Sequence, residues 1–479
     1  MHGCGDCAGD PGPLNYLGQS RGLCRECGQL IPVRTIARGQ KVFLQRHCPT
    51  HGIAEALIAG DLSWYLDAMA MPVAKSAPPK VHAEKSASCP QACGPCLFHG
   101  QRCHLPVIPI TNACNLRCPI CFGYNRADSY FMPPAEFAKR LDFLLDATGG
   151  VDLVNITGGE PTLHPELPAI LKLAKRDGIG RVTLNTNGIV LGKNPDLAKT
   201  LVDLGIYVVL SLDTLDPARS VKIHGVDLVD SKQRALNVLE QHQIPTTLLH
   251  VLIPGHNDDE MATWLGLLAG KSFVRSLTIQ TMTYTGQGGR HFLPRIPMPV
   301  DDVERLIESA SQGAISVADF IPLPTAHPLC YGVSYLLTNQ PLYPLTRLVG
   351  RTILSSMAKD GYLLHPTDES EAAMKEAVDR LWADDAEPAL LQTMKRMLTA
   401  LYPPGPPLSL FERQRRGEAF VKSIFVHAHM DEDTYEIGRA MRCPDQVVTQ
   451  DDKLIGACNF NLLYRMPDPL FGEGSGEGK

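Results

Sequence analysis

Apolar residues between positions 106 and 280 occur in short runs that alternate with longer stretches of helical periodicity. The short runs predict strands at Val107–Ile110, Leu153–Ile156, Val182–Leu184, Tyr207–Ser211, Thr247–Ile253 and Leu277–Gln280. The longer stretches predict helices at Pro134–Leu145, Leu167–Arg176, Pro195–Leu204, Ser231–His242 and Asp258–Leu268. This alternation favours a parallel sheet that curls into a partial barrel, with any active site at the carboxyl ends of its strands.

The regions on either side of the barrel differ from it in pattern, and 479 residues exceed what one ordinary core accommodates. We predict a metal module at 1–70, a proline-rich linker at 71–88, a cysteine segment at 89–105, the barrel at 106–300, and a substrate and auxiliary-cluster region at 301–479. The predicted fold class is therefore α/β. It consists of a partial (β/α)6 TIM-type barrel between an N-terminal metal-knuckle module and a C-terminal auxiliary-cluster region.

Composition narrows the function classes. A net charge of -6 argues against a nucleic-acid partner, because no basic block is present to neutralise phosphates. No apolar run is long enough to span a bilayer, and the N-terminus lacks the layout of a secretory signal, so we expect a cytoplasmic protein whose membrane contact, if any, is peripheral. In such a chain 15 cysteines are expected to bind metal rather than form disulfides.

Three cysteines follow the first predicted strand with the spacing Cys-x3-Cys-x2-Cys. We call this set, Cys114, Cys118 and Cys121, the loop triplet. Three thiolates on one tight loop can hold three irons of a four-iron, four-sulfur cube and leave the fourth iron open to a ligand that is not protein. We therefore expect the chemistry to take place at that open iron.

Glycine and polar residues follow the next strands in order. Gly158-Gly159-Glu160-Pro161 comes after the second strand, and its glycines allow a close backbone approach. Asn185 and Asn187 close the third strand, either as a turn alone or as a turn that reaches the site. Ser211 and Asp213, at the end of the fourth strand, share a face and either point into the barrel or cap the strand. The glycine loop at 286–289 is expected to lie near the substrate.

In this order the segments resemble the signature of the radical S-adenosylmethionine (SAM) superfamily. The resemblance implies that the free iron binds the methionine end of SAM. One electron, from a donor of the flavodoxin or ferredoxin type, then splits SAM to a 5'-deoxyadenosyl radical. It also implies that Glu160 and its neighbours Gly158, Gly159 and Pro161 hold the SAM amino group. The remaining implied SAM contacts are Asn185, Asn187, Ser211 and Asp213 on the polar side, and Ile120, Ile253 and Gly255 around adenine.

A separate metal site is predicted near the N-terminus. Cys24 and Cys27 precede Gly28, and Cys48 and His51 precede Gly52, so each pair has the form of a metal knuckle. Two knuckles make a tetrahedral site for one zinc or iron ion, as in a rubredoxin-like or zinc-ribbon-like module. We call these four ligands the knuckle site. Cys4 and Cys7 form a further pair that either binds metal or belongs to a flexible tail.

Two more cysteine groups are candidates for auxiliary iron-sulfur clusters. The auxiliary triplet, Cys89, Cys93 and Cys96, repeats the spacing of the loop triplet without the glycine and strand segments of a SAM site. The C-terminal triplet, Cys330, Cys443 and Cys458, would need a fourth ligand from His327, Cys103 or the substrate. The alternative is a set of buried structural thiols. His427 and His429 share a strand face and are expected to have a core or surface role.

The arrangement of cysteine groups in the N- and C-terminal parts of the chain is similar to that of the tetraether lipid synthase branch of the superfamily. The similarity implies one or two auxiliary clusters and carbon-carbon bond formation at an unactivated sp3 carbon, either on a lipid chain or by methyl transfer to a small molecule such as a pterin. Thr325 and Ala326 stand where another cysteine is expected, so one cluster is incompletely ligated or absent. A peptide-modifying radical SAM enzyme and a non-catalytic electron-transfer protein are the alternatives.

Overall fold

The computed structural model describes residues 15–472 apart from 75, 77, 81–88, 91, 92, 95, 97, 124–128, 340 and 386. Cys4 and Cys7 lie outside the described residues, as does the second part of the predicted linker. Within the described part of the chain, no helix combines the length and apolar character that crossing a bilayer requires.

The N-terminal module is a four-stranded antiparallel sheet in sequential order, followed by one helix. Its elements are β1 (Asn15–Leu23), β2 (Leu30–Arg38), β3 (Lys41–Cys48), β4 (Gly52–Ala59) and α1 (Leu62–Ala70). The β1–β2 and β3–β4 turns lie at the same end of the sheet and contain the two knuckles. Gly28 and Gly52 adopt φ values of 66° and 76°, which glycine tolerates best, so both tight turns depend on them.

The six predicted barrel strands are confirmed, with bounds that differ by a few residues. They are β5 (Leu105–Pro109), β6 (Val151–Thr157), β7 (Ile179–Thr186), β8 (Tyr207–Ser211), β9 (Thr246–Leu252) and β10 (Val274–Thr281). Adjacent strands pair in parallel in this order. Their buried faces, from Ile108 on β5 to Ile279 on β10, form the main core with the surrounding helices.

The helices that cover these strands are α2 (Pro134–Thr148), α3 (Leu167–Ala174), α4 (Pro195–Leu204), α5 (Pro217–His224), α6 (Val229–Gln241), α7 (Met261–Gly270), α8 (Gly286–His291) and α9 (Val300–Ala310). Local signals set their ends. In α4, for example, the Asn194 side chain caps the N-terminus by accepting from the Leu197 N–H, and Gly205 ends the helix in the left-handed region.

The C-terminal region joins the barrel sheet at both edges. Its elements are β11 (Ile321–Pro322), β12 (Tyr331–Leu337), β13 (Tyr343–Pro344), α10 (Thr346–Val349), α11 (Arg351–Met357), α12 (Asp368–Asp384), α13 (Pro388–Leu401), α14 (Leu410–Gly417), β14 (Val421–His427), α15 (Ile437–Ala440), β15 (Asp445–Val448), β16 (Leu454–Gly456) and α16 (Ala457–Asn459). β14 pairs in parallel with β10, and β15 pairs in parallel with β5. Among the described residues the sheet therefore has eight neighbouring parallel strands, two more than the six expected, and remains open.

The N-terminal module packs against this C-terminal region. Arg46 donates to the Asp433 carboxylate at 2.7 Å and to the Glu432 carbonyl at 2.9 Å. On another side, the Trp64 indole N–H donates to the buried Glu304 carboxylate at 2.7 Å. The knuckle module is thus attached to the segment that leads into α15, close to the C-terminal triplet.

Candidate functional site

A cavity of about 550 Å³ occupies the interior of the barrel. One end is formed by the loop triplet with Gly158 and Gly159. The side walls include the inward-facing residues Asn155, Thr183, Asn185, Thr278 and Gln280. A further wall comes from the C-terminal region and includes Tyr331, Tyr362, Phe425, His427, His429 and Asp445. The loop triplet therefore faces a chamber lined by both polar and aromatic side chains.

The loop that carries the triplet is fixed at its start. Thr111 donates through its hydroxyl to the Tyr130 carbonyl at 2.6 Å and accepts from the Ala113 N–H at 3.0 Å. Further along, the N–H groups of Leu116 and Gly123 donate to the sulfurs of Cys114 and Cys121 at 3.4 and 3.3 Å. The backbone thus already supplies hydrogen bonds of the kind that stabilise sulfur ligands.

Gly158 and Gly159 hold the glycine segment against that loop. The Gly159 N–H donates to the Thr111 carbonyl at 2.7 Å, and the Glu160 N–H donates to the Ala113 carbonyl at 2.7 Å. A Cβ atom on Gly158 would lie 2.2 Å from the Thr111 oxygen, and one on Gly159 would lie 2.3 Å from the Ala113 oxygen. The close approach that the glycines permit is therefore made to the cysteine loop itself.

The glycine loop expected near the substrate also packs against the cysteine loop. A Cβ atom on Gly286 would lie 2.3 Å from the Phe122 carbonyl oxygen, and the Gly288 N–H donates to the Cys121 carbonyl at 3.0 Å. The loop triplet is thus held between two glycine-containing segments.

The knuckle site is assembled as expected. The ligand atoms of Cys24, Cys27, Cys48 and His51 all lie within 4.8 Å of one another, the one such group among the described residues. The Cys27 and Cys48 sulfurs are 4.0 Å apart, and the His51 Nδ1 is 3.5 and 3.4 Å from the Cys24 and Cys48 sulfurs. A tetrahedral zinc ion requires separations of about 3.8 Å for sulfur pairs and about 3.6 Å for sulfur and nitrogen, so the geometry fits one ion.

Backbone N–H groups favour thiolates at this site. Burial opposes ionisation of Cys24, but the N–H groups of Cys27 and Glu26 outweigh it and lower the pKa of Cys24. The N–H of His51 lowers the pKa of Cys48 in the same way. Deprotonated thiols are the form that binds metal.

The distant cysteines of the C-terminal triplet come together. Burial raises the pKa of Cys458 to about 12, with Cys330 as the next contributor. Burial also raises the pKa of Cys443, aided by Asp445, Cys458 and Cys330. The Arg439 guanidinium, itself buried, donates to the Cys330 sulfur at 3.4 Å. These thiols therefore form one group, although the sequence separates the first two by more than 100 residues.

The auxiliary triplet is also clustered and lies beside the C-terminal triplet. Burial raises the pKa of Cys89 to about 12, and Cys93 and Cys96 add to the effect. The Asn459 amide donates to the Cys93 sulfur at 3.0 Å, and Asn459 directly follows Cys458 in the chain. The two triplets are thus connected through consecutive residues.

Comparisons with known proteins agree with this geometry. The family model of the Radical SAM superfamily matches residues 108–268, which contain the loop triplet, the glycine segment and the strands that follow. The chain therefore contains a radical SAM domain at these residues. A second model, the HMPTM N-terminal zinc ribbon domain, matches residues 16–60, the range that contains the knuckle site.

One curated relative of this radical SAM protein spans nearly its whole length. It is 7,8-dihydro-6-hydroxymethylpterin dimethyltransferase of Methanocaldococcus jannaschii, which is 26% identical over 92% of this chain and 93% of its own. GTP 3',8-cyclase of Chlorobaculum tepidum is 34% identical over 33% of this chain and 48% of its own. Among solved structures, Streptococcus suis SuiB bound to precursor peptide SuiA gives a TM-score of 0.37 at 22% identity, and the match covers 44% of this chain and 46% of that chain.

The match of this domain confirms the radical SAM signature recognised in the sequence, and the structure confirms the α/β partial barrel and the alternation of strands and helices. The match makes the chain a radical SAM enzyme, so the non-catalytic alternative is set aside. It also implies a four-iron, four-sulfur cluster and SAM as cofactors.

The loop triplet fits the cluster that a radical SAM enzyme uses. The three thiols lie on one loop at the cavity, yet no three ligand atoms there fall within the 4.8 Å that a single ion requires. An iron-sulfur cube, in contrast, binds each thiolate to a different iron. Burial raises the pKa of Cys114 to about 11 and that of Cys118 to about 12, so cluster binding must displace protons from both thiols.

Several predicted SAM contacts lie around this loop in supporting positions. The buried Glu160 carboxylate accepts from the Thr186 hydroxyl and the Asn187 N–H, both at 2.7 Å, and so joins the ends of β6 and β7. Pro161 follows Glu160 and begins a short 3-10 helix. Asn185 lines the cavity, and its buried side-chain oxygen has no hydrogen-bond partner among the described residues. A role of these residues toward SAM stays a prediction.

The ends of β8 and β9 are tied together. The Asp213 carboxylate accepts from the Val251 N–H at 2.7 Å, and the Asn257 amide donates to the Asp213 carbonyl at 2.9 Å. Asn257 also accepts from the Ile253 N–H at 2.7 Å, which fixes the turn that contains Gly255. Asn257 is therefore a buried bridge between two strand ends.

The predicted adenine contacts Ile120 and Ile253 do lie together. They belong to one apolar cluster with Ile223, Met282 and Tyr284, beside the cysteine loop. The structure therefore brings the two aliphatic side chains to one place, although their contact with adenine is untested.

Sequence reasoning missed Lys232 on α6. Its buried ammonium donates to the Ser211 and Asn187 carbonyls at 2.6 and 2.8 Å and interacts with Asp213 and Cys118. Burial lowers its pKa. The sequence pattern could have indicated a buried lysine here. Lys232 lies on the apolar face of α6 between Leu228 and Ala235, where a solvated lysine is not expected.

The cavity wall formed by the C-terminal region contains a polar network that the sequence analysis also missed. The buried Asp445 carboxylate accepts from the Tyr331 hydroxyl at 2.6 Å and from the Tyr362 hydroxyl at 3.1 Å. The His427 ring stacks on Tyr331 with centroids 3.9 Å apart, and its Nε2 lies 3.5 Å from Asp445. Burial raises the pKa of Asp445 to about 6. His427 was expected in a core or surface role, yet it lines the cavity.

Proposed function

We propose that this radical SAM enzyme methylates carbon on a small pterin-like heterocycle. The observation that carries the proposal is the buried Asp445 carboxylate, which lines the same cavity as the loop triplet. The full-length relative, a pterin dimethyltransferase, supports the same substrate class. Auxiliary clusters at the auxiliary and C-terminal triplets, and a flavodoxin- or ferredoxin-type electron donor, belong to the proposal.

The side chains on the cavity wall formed by the C-terminal region suit a pterin ring. A pterin is a flat heterocycle whose edge carries neighbouring N–H donors, and a carboxylate accepts such a donor pair with both oxygens. Each Asp445 oxygen accepts from one tyrosine hydroxyl, of Tyr331 or of Tyr362, and keeps a second lone pair that a ring N–H can use. The stacked rings of Tyr331 and His427 supply an aromatic surface beside them.

The cavity favours this substrate over long lipid chains. About 550 Å³ lies within the range of small-molecule sites, about 300 to 1,000 Å³. Asn155, Thr183, Asn185 and Gln280 place amide and hydroxyl groups on its walls, which would be costly to bury against hydrocarbon. Lipid coupling is therefore the less favoured of the two predicted reactions.

The protein's own residues hold and shield the reacting groups. When bound, the cluster and one SAM would supply the radical that removes hydrogen from a C–H bond and ends as 5'-deoxyadenosine, and a second SAM would supply the methyl group and leave as S-adenosylhomocysteine, with one electron from the donor for each SAM. Gly158 and Gly159 keep the cysteine loop against β6, and the strands together with the C-terminal region line the chamber. Asp445 would accept from the ring N–H donors at its oxygens and so fix which ring atom faces the loop triplet.

Two variants and a product assay test this proposal. Reconstituted protein is incubated with SAM, dithionite and 6-hydroxymethyl-7,8-dihydropterin, and methylated pterin and 5'-deoxyadenosine are quantified by mass spectrometry. We expect wild-type protein to form both products and Asp445→Asn to lose methylated pterin while still forming 5'-deoxyadenosine. Asp451→Asn is the matched control, because Asp451 lies on the exposed turn that follows β15 and should behave as wild type.

Two results would contradict the proposal. One is formation of 5'-deoxyadenosine without methylated pterin in the wild-type protein, with a lipid substrate consumed instead. The other is methylation by Asp445→Asn at the wild-type rate.

A further inference from the structure

A second cavity, of about 190 Å³, lies at the end of the barrel where β7 and β8 begin, and α14 forms one of its walls. We call it the basal pocket. The polar side chains that line it include Lys175, Arg181, Tyr207, Gln414, Arg415 and Glu418. Arg181, Tyr207, Gln414 and Glu418 also line the main cavity, so the basal pocket adjoins the chamber that the loop triplet faces.

Gln414 on α14 points to a ligand in this region. Its side chain is buried, with 7% of the residue exposed, and neither its amide nitrogen nor its amide oxygen has a hydrogen-bond partner among the described residues. Burial of an unpaired amide is costly, and buried amides are nearly always paired. Because Gln414 lines both cavities, a molecule that enters either of them would pair with this amide.

Positive side chains are concentrated around the basal pocket. Burial lowers the pKa of Arg181, and the neighbouring cations Arg415 and Arg275 add to the effect. Burial also lowers the pKa of Lys175, again with a contribution from Arg415. In the part of the chain that the structure describes, Lys175 and Arg415 form neither an ion pair nor a side-chain hydrogen bond.

The two carboxylates that line the basal pocket are already engaged. Glu418 forms an ion pair with Arg181 and accepts from the Tyr207 hydroxyl. Glu412 accepts from the Ser409 hydroxyl at 2.7 Å and from the Ser409 N–H at 2.8 Å. The positive charges of the pocket therefore exceed its negative charges and favour an anion.

The basal pocket is close enough to Asp445 for one small molecule to contact both. The strand register places Asp445 on β15 level with Leu105 on β5, and Leu153 on β6 level with Arg181 on β7. The β5–β6 register connects these two pairs. Neighbouring strands lie about 4.8 Å apart, so the three spacings between β15 and β7 place Asp445 and Arg181 about 14 Å apart or less.

We propose that the basal pocket binds a phosphate group, and that this group is the ester tail of the pterin-like substrate whose ring contacts Asp445. The inference rests on the proposed function and adds a phosphate ester to its substrate class. Lys175 and Arg415 would neutralise the phosphate charge, and the Gln414 amide N–H would donate to a phosphate oxygen.

The test measures binding by isothermal titration calorimetry to the anaerobically reconstituted protein with SAM. The probes are 6-hydroxymethyl-7,8-dihydropterin, its diphosphate ester and inorganic diphosphate. We expect the ester to bind about tenfold more tightly than the free pterin, or tighter still, because charge-assisted hydrogen bonds are added. Gln414→Leu and Arg415→Gln should each lose most of this difference and bind the free pterin as the wild type does. Arg415 is exposed, so its replacement should leave the fold intact.

Arg416→Gln is the matched control. Arg416 is an exposed neighbour on α14 that lines neither cavity and donates to the Ala400 carbonyl at 3.4 Å. This variant removes the same charge and should keep the tenfold difference. Equal affinity of the wild type for the ester and the free pterin would overturn the inference. A difference that survives in both Gln414→Leu and Arg415→Gln, or that disappears in Arg416→Gln, would do the same.

Inorganic diphosphate distinguishes a substrate tail from a free anion and separates this inference from the proposed function. If inorganic diphosphate binds while the ester binds no better than the free pterin, the pocket holds a free anion and the assignment of a substrate tail is wrong. If neither pterin binds, the proposed function fails. In that case inorganic diphosphate binding that Arg415→Gln weakens would still support phosphate recognition by the pocket, and absence of binding would overturn it.

Discussion

Replacement of Gly159 by alanine should separate the glycine segment from the cysteine loop. The added Cβ would lie 2.3 Å from the Ala113 carbonyl oxygen and 2.7 Å from the Asn112 oxygen, both backbone atoms that cannot rotate away. Ordinary contact requires about 3.5 Å, so the two segments must move apart by about 1 Å.

A shift of that size breaks the hydrogen bonds between the segments. The Gly159-to-Thr111 and Glu160-to-Ala113 bonds are both 2.7 Å long and would stretch beyond hydrogen-bonding range. Each contributes about 1 kcal/mol net, so the docked loop loses about 2 kcal/mol. This corresponds to a decrease of about 30-fold in the equilibrium constant for docking of the loop.

The assay is the initial rate of 5'-deoxyadenosine formation, normalised to iron content after reconstitution. We expect the rate for Gly159→Ala to fall, by up to about 30-fold, as the docked fraction decreases. Gly266→Ala is the control, because Gly266 lies in α7 with open space at its Cβ position. A Gly159→Ala rate equal to that of the control would refute the argument that this contact holds the cluster loop.

Further predictions concern the metal sites and a buried carboxyl group. Cys27→Ser should remove one zinc or iron ion per chain, measured by elemental analysis, and full metal retention would contradict the knuckle site. Cys93→Ala should lower iron content while SAM cleavage continues without complete product; normal product formation would remove the auxiliary role. Burial raises the pKa of Glu304 from 4.5 to about 8, so the folded state favours the protonated form and loses stability as pH rises through that window. Glu304→Gln should therefore become more stable than wild type by up to a few kcal/mol as pH approaches 8, measured by urea unfolding, and a pH-independent difference would refute this.

The barrel strands were predictable because their signal is local. The predicted strand Val182–Leu184, for example, lies within β7, and the predicted run Tyr207–Ser211 coincides with β8. Each is a short apolar run followed by a helix with its own capping residues. The loop triplet and the knuckle site were found for the same reason, since close spacing along the chain defines them.

The additional strands were not predictable in this way. β14 and β15 pair with strands that lie more than 140 residues earlier in the chain, and β15 contains four residues. Local periodicity carries no information about such pairing. The sheet takes strands from both sides of residue 300.

Contacts at the site that depend on distant segments were missed for the same reason. Asp445 and Tyr331 are separated by 114 positions, and their hydrogen bond cannot be inferred from either segment alone. His429 was assigned a core or surface role because a histidine next to a strand usually has one. Its contact with Cys458 becomes visible when β14 and α16 are seen together in space.

The central claim is that the loop triplet holds a cluster whose open iron binds and cleaves SAM. The most direct measurement is 5'-deoxyadenosine formation by the reconstituted protein with SAM and dithionite, compared between wild type and Cys118→Ala. The account predicts product from the wild type and none from Cys118→Ala, which should retain the iron of its auxiliary clusters. Equal product from both proteins, or no product from a wild-type protein with its full iron content, would contradict it.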